Sequence, residues 1–263
     1  MIESNFTFNG RHCMNDMGLL YVENSGGRVI THARRINEYT VAGASGTIRF
    51  PGETFEKATL SGSLYPMESP KSEADAQALM RQVAAWLYGP RGRLIFDYEP
   101  DRYRIAEISG ESKWSCREWL DGGLDVEFDV QPFAWALNPT RETHTVTDTC
   151  AFALNMGDSQ DAPLEAIIRN TGAAALTGIS ISRGSREWLF AGMSVPQDGL
   201  VTITQEPPVG ATITTGGIVT NALPYAMQFD TVTVSGAADL AVALSFDGSG
   251  SADVTLQARG RWL

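Results

Sequence analysis

The cleanest alternation of apolar and polar positions in the chain runs from Leu124 to Gln131. Leu124, Val126, Phe128 and Val130 share one face of an extended segment, and Asp125, Glu127, Asp129 and Gln131 share the other. A strand of this kind buries one face and wets the other. Earlier, Phe6 and Phe8 alternate with Asn5 and Thr7 until Asn9-Gly10, which predicts a half-buried strand ending in a turn. Asn15 to Gly18 gives a second turn, Leu20 and Val22 open another strand, and Thr59 to Leu64 is a further one. The small residues from Val41 to Gly46 predict a turn between extended segments. One period differs. Leu79, Val83, Trp86 and Leu87 fall on one stripe of a helix over about 73-88. Ser72 is its N-cap, with Asp75 three positions on, and Gly89-Pro90 ends it. Two hairpins follow. Leu94–Tyr98 and Arg102–Ile108 flank Glu99 to Asp101, and Lys113–Leu120 and Leu124–Val130 flank a predicted turn at Asp121-Gly122-Gly123.

The texture changes near Asn138-Pro139-Thr140, which divides the chain into 1-138 and 139-263. From Thr143 onward the sequence is rich in Ala, Thr, Gly and Ser. About eight or nine short strands are separated by turn signals such as Asn170-Thr171-Gly172 and Asp198-Gly199, with no helical period. Strands of this length and spacing predict a β-sandwich. The fold class expected for the whole chain is therefore mainly β, with one helix in the first half.

Composition narrows the function. The formal net charge is -11, and an acidic surface repels phosphate, which disfavours a nucleic-acid-binding role. Cys13, Cys116 and Cys150 are few and far apart, as suits a protein made in a reducing cytoplasm. The first residues lack the charged-then-apolar pattern of a signal peptide, and no apolar run approaches the roughly 18 residues a membrane helix needs.

Catalytic chemistry finds little support. His12, His32 and His144 are the only histidines; His12 adjoins Cys13, but neighbours on a strand point to opposite faces. No metal-ligand spacing, nucleophile elbow or phosphate-cradling glycine loop is present, so no metal, cofactor or catalytic set is expected. Asp97, Glu99 and Asp101 alternate at a hairpin end, where paired carboxylates for glycoside hydrolysis could meet; a solvated turn is the plainer reading. Trp114, Trp119, Trp188 and Tyr225 could stack on sugar rings, with Trp188 and Tyr225 the candidates for carbohydrate contact in the second half. Core packing is the competing reading for each.

Order and spacing of motifs add a resemblance. The segments FTFNG, NDMGLLYV, VAGASGTI, the helix ending in AWLYGP, RLIFDYEPDRYRIAEISG and LDVEFDVQPFAW together resemble the ring-forming domain of siphophage distal tail (Dit-like) proteins. The segments DAPLEAIIRNTG, ISISRG, GLVTITQ and VTLQARGRWL resemble that family's C-terminal galectin-like or carbohydrate-module-like sandwich. The resemblance implies an N-terminal β-barrel or sandwich domain that closes a homohexameric ring. It implies a tail-tip adaptor between the tail tube and baseplate hub, assembled in the host bacterial cytoplasm. Tail tube, tape-measure and hub or tail-associated proteins would be its neighbours, with a host surface glycan as a further contact. A phage, a prophage or a gene transfer agent could carry such a protein. In such a ring Asp125, Glu127 and Asp129 become candidates to face the bore, where negative walls would repel passing DNA. Two other readings stand beside the adaptor: a carbohydrate-binding module, and a hydrolase built on Asp97 and Glu99.

Overall fold

The computed structural model describes residues 4–24, 33–35, 38–40, 45, 47–49, 54–118, 121–205 and 208–263. His32, Trp119 and all but Ser45 of the Val41–Gly46 segment lie outside the described residues. The chain is mainly β with one α-helix and divides into two compact units, Met1–Trp135 with Leu263, and Ala136–Trp262.

Unit 1 opens with β1 (Phe6–Phe8) and β2 (Arg11–His12), paired antiparallel with Phe8 opposite Arg11. The two residues between them, Asn9 and Gly10, both have positive φ, 50° and 79°, the geometry that a tight hairpin of matching twist demands and that Asn-Gly supplies. Next come β3 (Leu19–Glu23), the short strands β4 (Arg34–Arg35), β5 (Glu38–Thr40), β6 (Thr47–Arg49) and β7 (Thr54–Phe55), and the long β8 (Ala58–Pro66). Helix α1 (Glu73–Leu87) forms where the apolar stripe predicts it. Its N-cap Ser72 accepts the Asp75 N–H at 3.1 Å and donates its hydroxyl to Asp75 Oδ2 at 2.8 Å. Then follow β9 (Gly92–Phe96), β10 (Arg102–Ile108), β11 (Trp114–Glu118) and β12 (Asp121–Ala136). The main sheet runs in the order β2-β1-β9-β10-β12-β8-β3.

Asp121-Gly122-Gly123 is not the turn expected from sequence. These residues begin β12 and pair with β11, with Gly123 opposite Ser115. The glycine serves close approach instead: a Cβ on Gly123 would lie 2.6 Å from the Tyr65 ring.

The core of unit 1 is aromatic. Phe6 is stacked with Trp86 at 5.7 Å between ring centroids and meets Phe128 and Tyr21 edge-on at 5.3 and 5.0 Å. Trp86 also donates its indole N–H to the Phe8 carbonyl at 2.9 Å, so one side chain pins α1 to β1 by packing and by a hydrogen bond. Burial pushes the Cys13 thiol up to about 11, which keeps it protonated and inert among these rings.

Unit 2 begins with β13 (Thr140–Val146) and β14 (Thr149–Asn155), then β15 (Ala162–Asn170), β16 (Leu176–Arg183), β17 (Arg186–Val195), β18 (Leu200–Thr204), β19 (Gly210–Thr215) and β20 (Ile218–Asn221). A single 3-10 turn, η1 (Leu223–Tyr225), leads into β21 (Ala226–Phe229), followed by β22 (Thr233–Val234), β23 (Ala237–Phe246), β24 (Ala252–Ala258) and β25 (Arg261–Trp262). One sheet has the order β13-β24-β15-β18-β19-β20 and the other β14-β23-β16-β17-β21. Their inner faces share one hydrophobic core, with Ile168, Val254 and Val201 from the first sheet and Ile181, Val242 and Phe190 from the second. More strands form than the eight or nine read from sequence, because β20, β21, β22 and β25 are two to four residues long and too short to show a period.

Candidate assembly surfaces

On β12 the strict alternation places Asp125, Glu127 and Asp129 on one face, while Leu124, Val126, Phe128 and Val130 are buried on the other. Strand rise spaces successive acids roughly 7 Å apart. The row opposite, on β8, is Ser63, Ser61 and Thr59. These hydroxyls temper the charge: Ser63 donates to Asp125 at 2.6 Å and Thr59 to Asp129 at 3.4 Å. Lys57 hydrogen-bonds Asp129 and holds its carboxyl below the usual range, helped by Ser109 and Thr59. The result is a face of acids and hydroxyls on which Asp125 and Glu127 are exposed and Asp129 is tied to Lys57.

The carboxylates at the hairpin end are each engaged by a basic side chain. Glu99 is held by Arg104 at 2.9 Å and Arg102 at 3.7 Å, and Asp101 lies 3.8 Å from Arg102. Asp97 faces His12 instead, with His12 Nε2 3.1 Å from both of its oxygens. The other ring nitrogen of His12 accepts the N–H groups of Met14 and Asn15 at 3.2 and 3.0 Å, so this histidine organises the turn that follows β2. His12 and Cys13 do diverge, the one to Asp97 and the other into the core.

The two sugar-stacking candidates part company. Trp188 is fully buried in the unit 2 core, and its indole N–H donates to the Asp230 carbonyl at 2.8 Å. That corrects the expectation of a platform there: a ring closed on both faces by packing offers no surface to a sugar. Tyr225 lies in η1 and is 39% exposed. Trp114 is partly buried against the unit 1 core.

Sequence reasoning overlooked the stretch that contains Tyr225. Ile218, Val219, Leu223 and Met227 are exposed alongside it, on η1 and on the strands that end both sheets of unit 2. The signal was available: the chain from Pro208 to Phe229 carries no charged side chain.

Together these features make up a mainly β, two-unit protein whose distinctive surfaces are sheet faces and sheet edges. Over the full chain the fold is similar to that of the SPP1 Dit protein, described as a paradigm of the hub adsorption apparatus in phages infecting Gram-positive bacteria. The TM-score is 0.70 at 12% identity, covering 99% of each chain. It is also similar to a chain of the phage P2 baseplate in its activated conformation with Ca, with a TM-score of 0.52 and 10% identity over 99% of this chain and 98% of that one. No family model matches the chain, and no curated protein sequence does. At these identities the likeness is one of fold.

Proposed function

We propose that this protein is a structural component of a bacteriophage tail tip, a ring-forming adaptor and not an enzyme. The observation that carries the reading is the fold likeness to the SPP1 Dit protein over 99% of both chains, which spans both units at once. On this reading residues 1-138 close a homohexameric ring and residues 139-263 form the outer, galectin-like sandwich. The ring joins the tail tube to the baseplate hub, beside tape-measure and tail-associated proteins, and is assembled in the host cytoplasm. Strand edges that a monomer must blunt are satisfied by neighbours in a closed ring. Light scattering on the purified protein is expected to give a six-copy species, about 171 kDa from subunits of 28.5 kDa. A monomer at every concentration, with and without tube and hub proteins, would overturn it.

In the ring, Asp125, Glu127 and Asp129 face the bore and keep DNA from adhering to the wall. Replacing all three with lysine is expected to slow DNA ejection from assembled virions, because a basic wall neutralises phosphate and releases its counterions. Ejection at the normal rate from correctly assembled particles would remove the three acids from this role.

Of the two candidates in the second half, Tyr225 is the one left for glycan contact at the host surface, since it is 39% exposed and Trp188 is buried.

A further inference from the structure

β20 is the last strand of its sheet and β21 the last strand of the other, and η1 between them packs against both β17 and β19. One chain segment thus closes this side of the sandwich and supplies both edges. Edges of soluble sheets are normally guarded by lysine or other charges. Here the guard is missing. Ile218 is 69% exposed, Val219 63% and Met227 73%, and the run from Pro208 to Phe229 is uncharged in a chain of net charge -11.

The backbone of β20 is specific about what it can accept. It pairs antiparallel with β19, Thr220 opposite Ile213, and the Ala222 N–H donates to the Ala211 carbonyl at 2.8 Å. Antiparallel pairing alternates, so Ile218, Thr220 and Ala222 direct their N–H and C=O groups at β19. Val219 and Asn221 direct theirs away from it. Among the described residues no strand pairs with that outer side of β20.

We propose that β20 is a self-association edge, pairing antiparallel with β20 of a second copy about a two-fold axis through Thr220. The axis sets Val219 against Asn221 of the partner subunit, and the reverse, which gives four backbone hydrogen bonds in a continuous sheet. A second copy is the occupant that fits both backbone and charge. The outward groups of Val219 and Asn221 meet their own copies under a two-fold axis, so the backbone permits an isologous contact. Charge agrees: two chains of net charge -11 repel, and contact through their longest uncharged run brings the fewest like charges together. Pairing would also cover Ile218 and Val219, the apolar side chains that the lone edge leaves in water.

The test is light scattering over a dilution series, on the full chain and on Val219→Pro. Proline at this position removes an N–H that points outward and leaves the ladder to β19 intact, so the subunit is expected to keep its circular dichroism. Val219→Asp is the second variant, placing two like charges beside the axis without altering the backbone. On the ring reading, the six-copy wild type is expected to double in mass at the high end of the series, and both variants to stay at six copies throughout. An assembly whose mass is unchanged in a folded variant overturns the proposal, and so does a wild type with no association that depends on this strand. Six-copy rings in wild type and both variants alike, at every concentration, would sink the edge pairing and leave the ring reading standing. A two-copy species lost in both variants, with no ring, would do the reverse.

Discussion

Replacing Trp188 with alanine is expected to destabilise unit 2 by about 3–5 kcal/mol, the usual range for deleting a buried indole. The side chain is fully buried and lies opposite Ile181 and Phe229 in neighbouring strands, with its ring centroid 5.9 Å from that of Phe229. Removing it opens a cavity where β16, β17 and β21 meet, at the edge where the sheet has least support. Urea unfolding followed by far-ultraviolet circular dichroism measures the loss. A cost below about 1 kcal/mol would mean that the indole is not the core element its burial indicates. Trp188→Phe separates packing from hydrogen bonding. Phenylalanine keeps most of the volume but gives up the N–H bonded to the Asp230 carbonyl. That oxygen keeps a second donor in Gln205, so no buried acceptor is orphaned and the phenylalanine variant is expected to lose far less. The same pair decides a functional question. If Trp188→Ala abolished glycan binding, unfolding would explain it; Tyr225→Ala, on an exposed ring, tests contact without disturbing the core.

The fate of Trp188 shows where the sequence was legible and where it was not. The alternation from Leu124 to Val130 could be read directly because its outward positions are charged and contrast with the inward ones. β23 alternates as strictly, with Ala238, Leu240, Val242 and Leu244 buried, but its outward positions include Ala237, Ala241 and Ala243. Alanine is apolar too, so Leu240 to Leu244 reads as a continuous apolar run and its two faces are hidden in the letters. α1 was visible because cap, stripe and Gly-Pro stop agree on one span. The Asp121 to Gly123 segment was misread because glycine marks turns and close approaches alike, and only the Tyr65 ring distinguishes them. A tryptophan in a strand is equally ambiguous between core and sugar platform until its neighbours are known. The acids on β12 were legible as a wet face; what they face in an assembly depends on other chains.

Asn170 is the clearest residue whose role no sequence pattern reveals, and substituting it is expected to be as damaging as removing Trp188. In sequence, Asn170-Thr171-Gly172 is an ordinary turn signal. In the fold Asn170 is fully buried at the end of β15. Its side-chain amide donates to the carbonyls of Ala174 and Val195, both at 2.9 Å, and its Oδ1 accepts the Gly172 N–H at 3.1 Å. Its backbone N–H and C=O engage Gly199 and Asp198 at 2.9 and 2.8 Å. One residue thus joins the loop after β15, the end of β17 and the turn before β18. Asn170→Ala takes a donor from two carbonyls, that of Val195 in a buried bond, while the Gly172 N–H keeps the Ser251 carbonyl at 2.9 Å. With each orphaned carbonyl costing about 1–3 kcal/mol, a loss of roughly 2–6 kcal/mol is expected.

Asn170→Asp makes a sharper test, because its effect depends on pH with a definite sign. The aspartate has the same shape, but its ionised form sets an oxygen against two carbonyl oxygens and buries an unpaired charge. Both effects raise the carboxyl's folded-state pKa above its unfolded value of about 3.9. A group shifted upward keeps its contribution below the unfolded pKa and loses it as pH rises through the folded one. The stability gap between wild type and Asn170→Asp is therefore expected to be widest at neutral pH and to narrow toward pH 4, where the protonated acid donates to one of the two carbonyls. Wild type and Asn170→Ala, unfolded in urea at each pH, remove the contribution of the chain's other carboxylates. A gap that stays constant from neutral to acid pH would show that this site is open to water and that the two carbonyls are not held by the Asn170 amide.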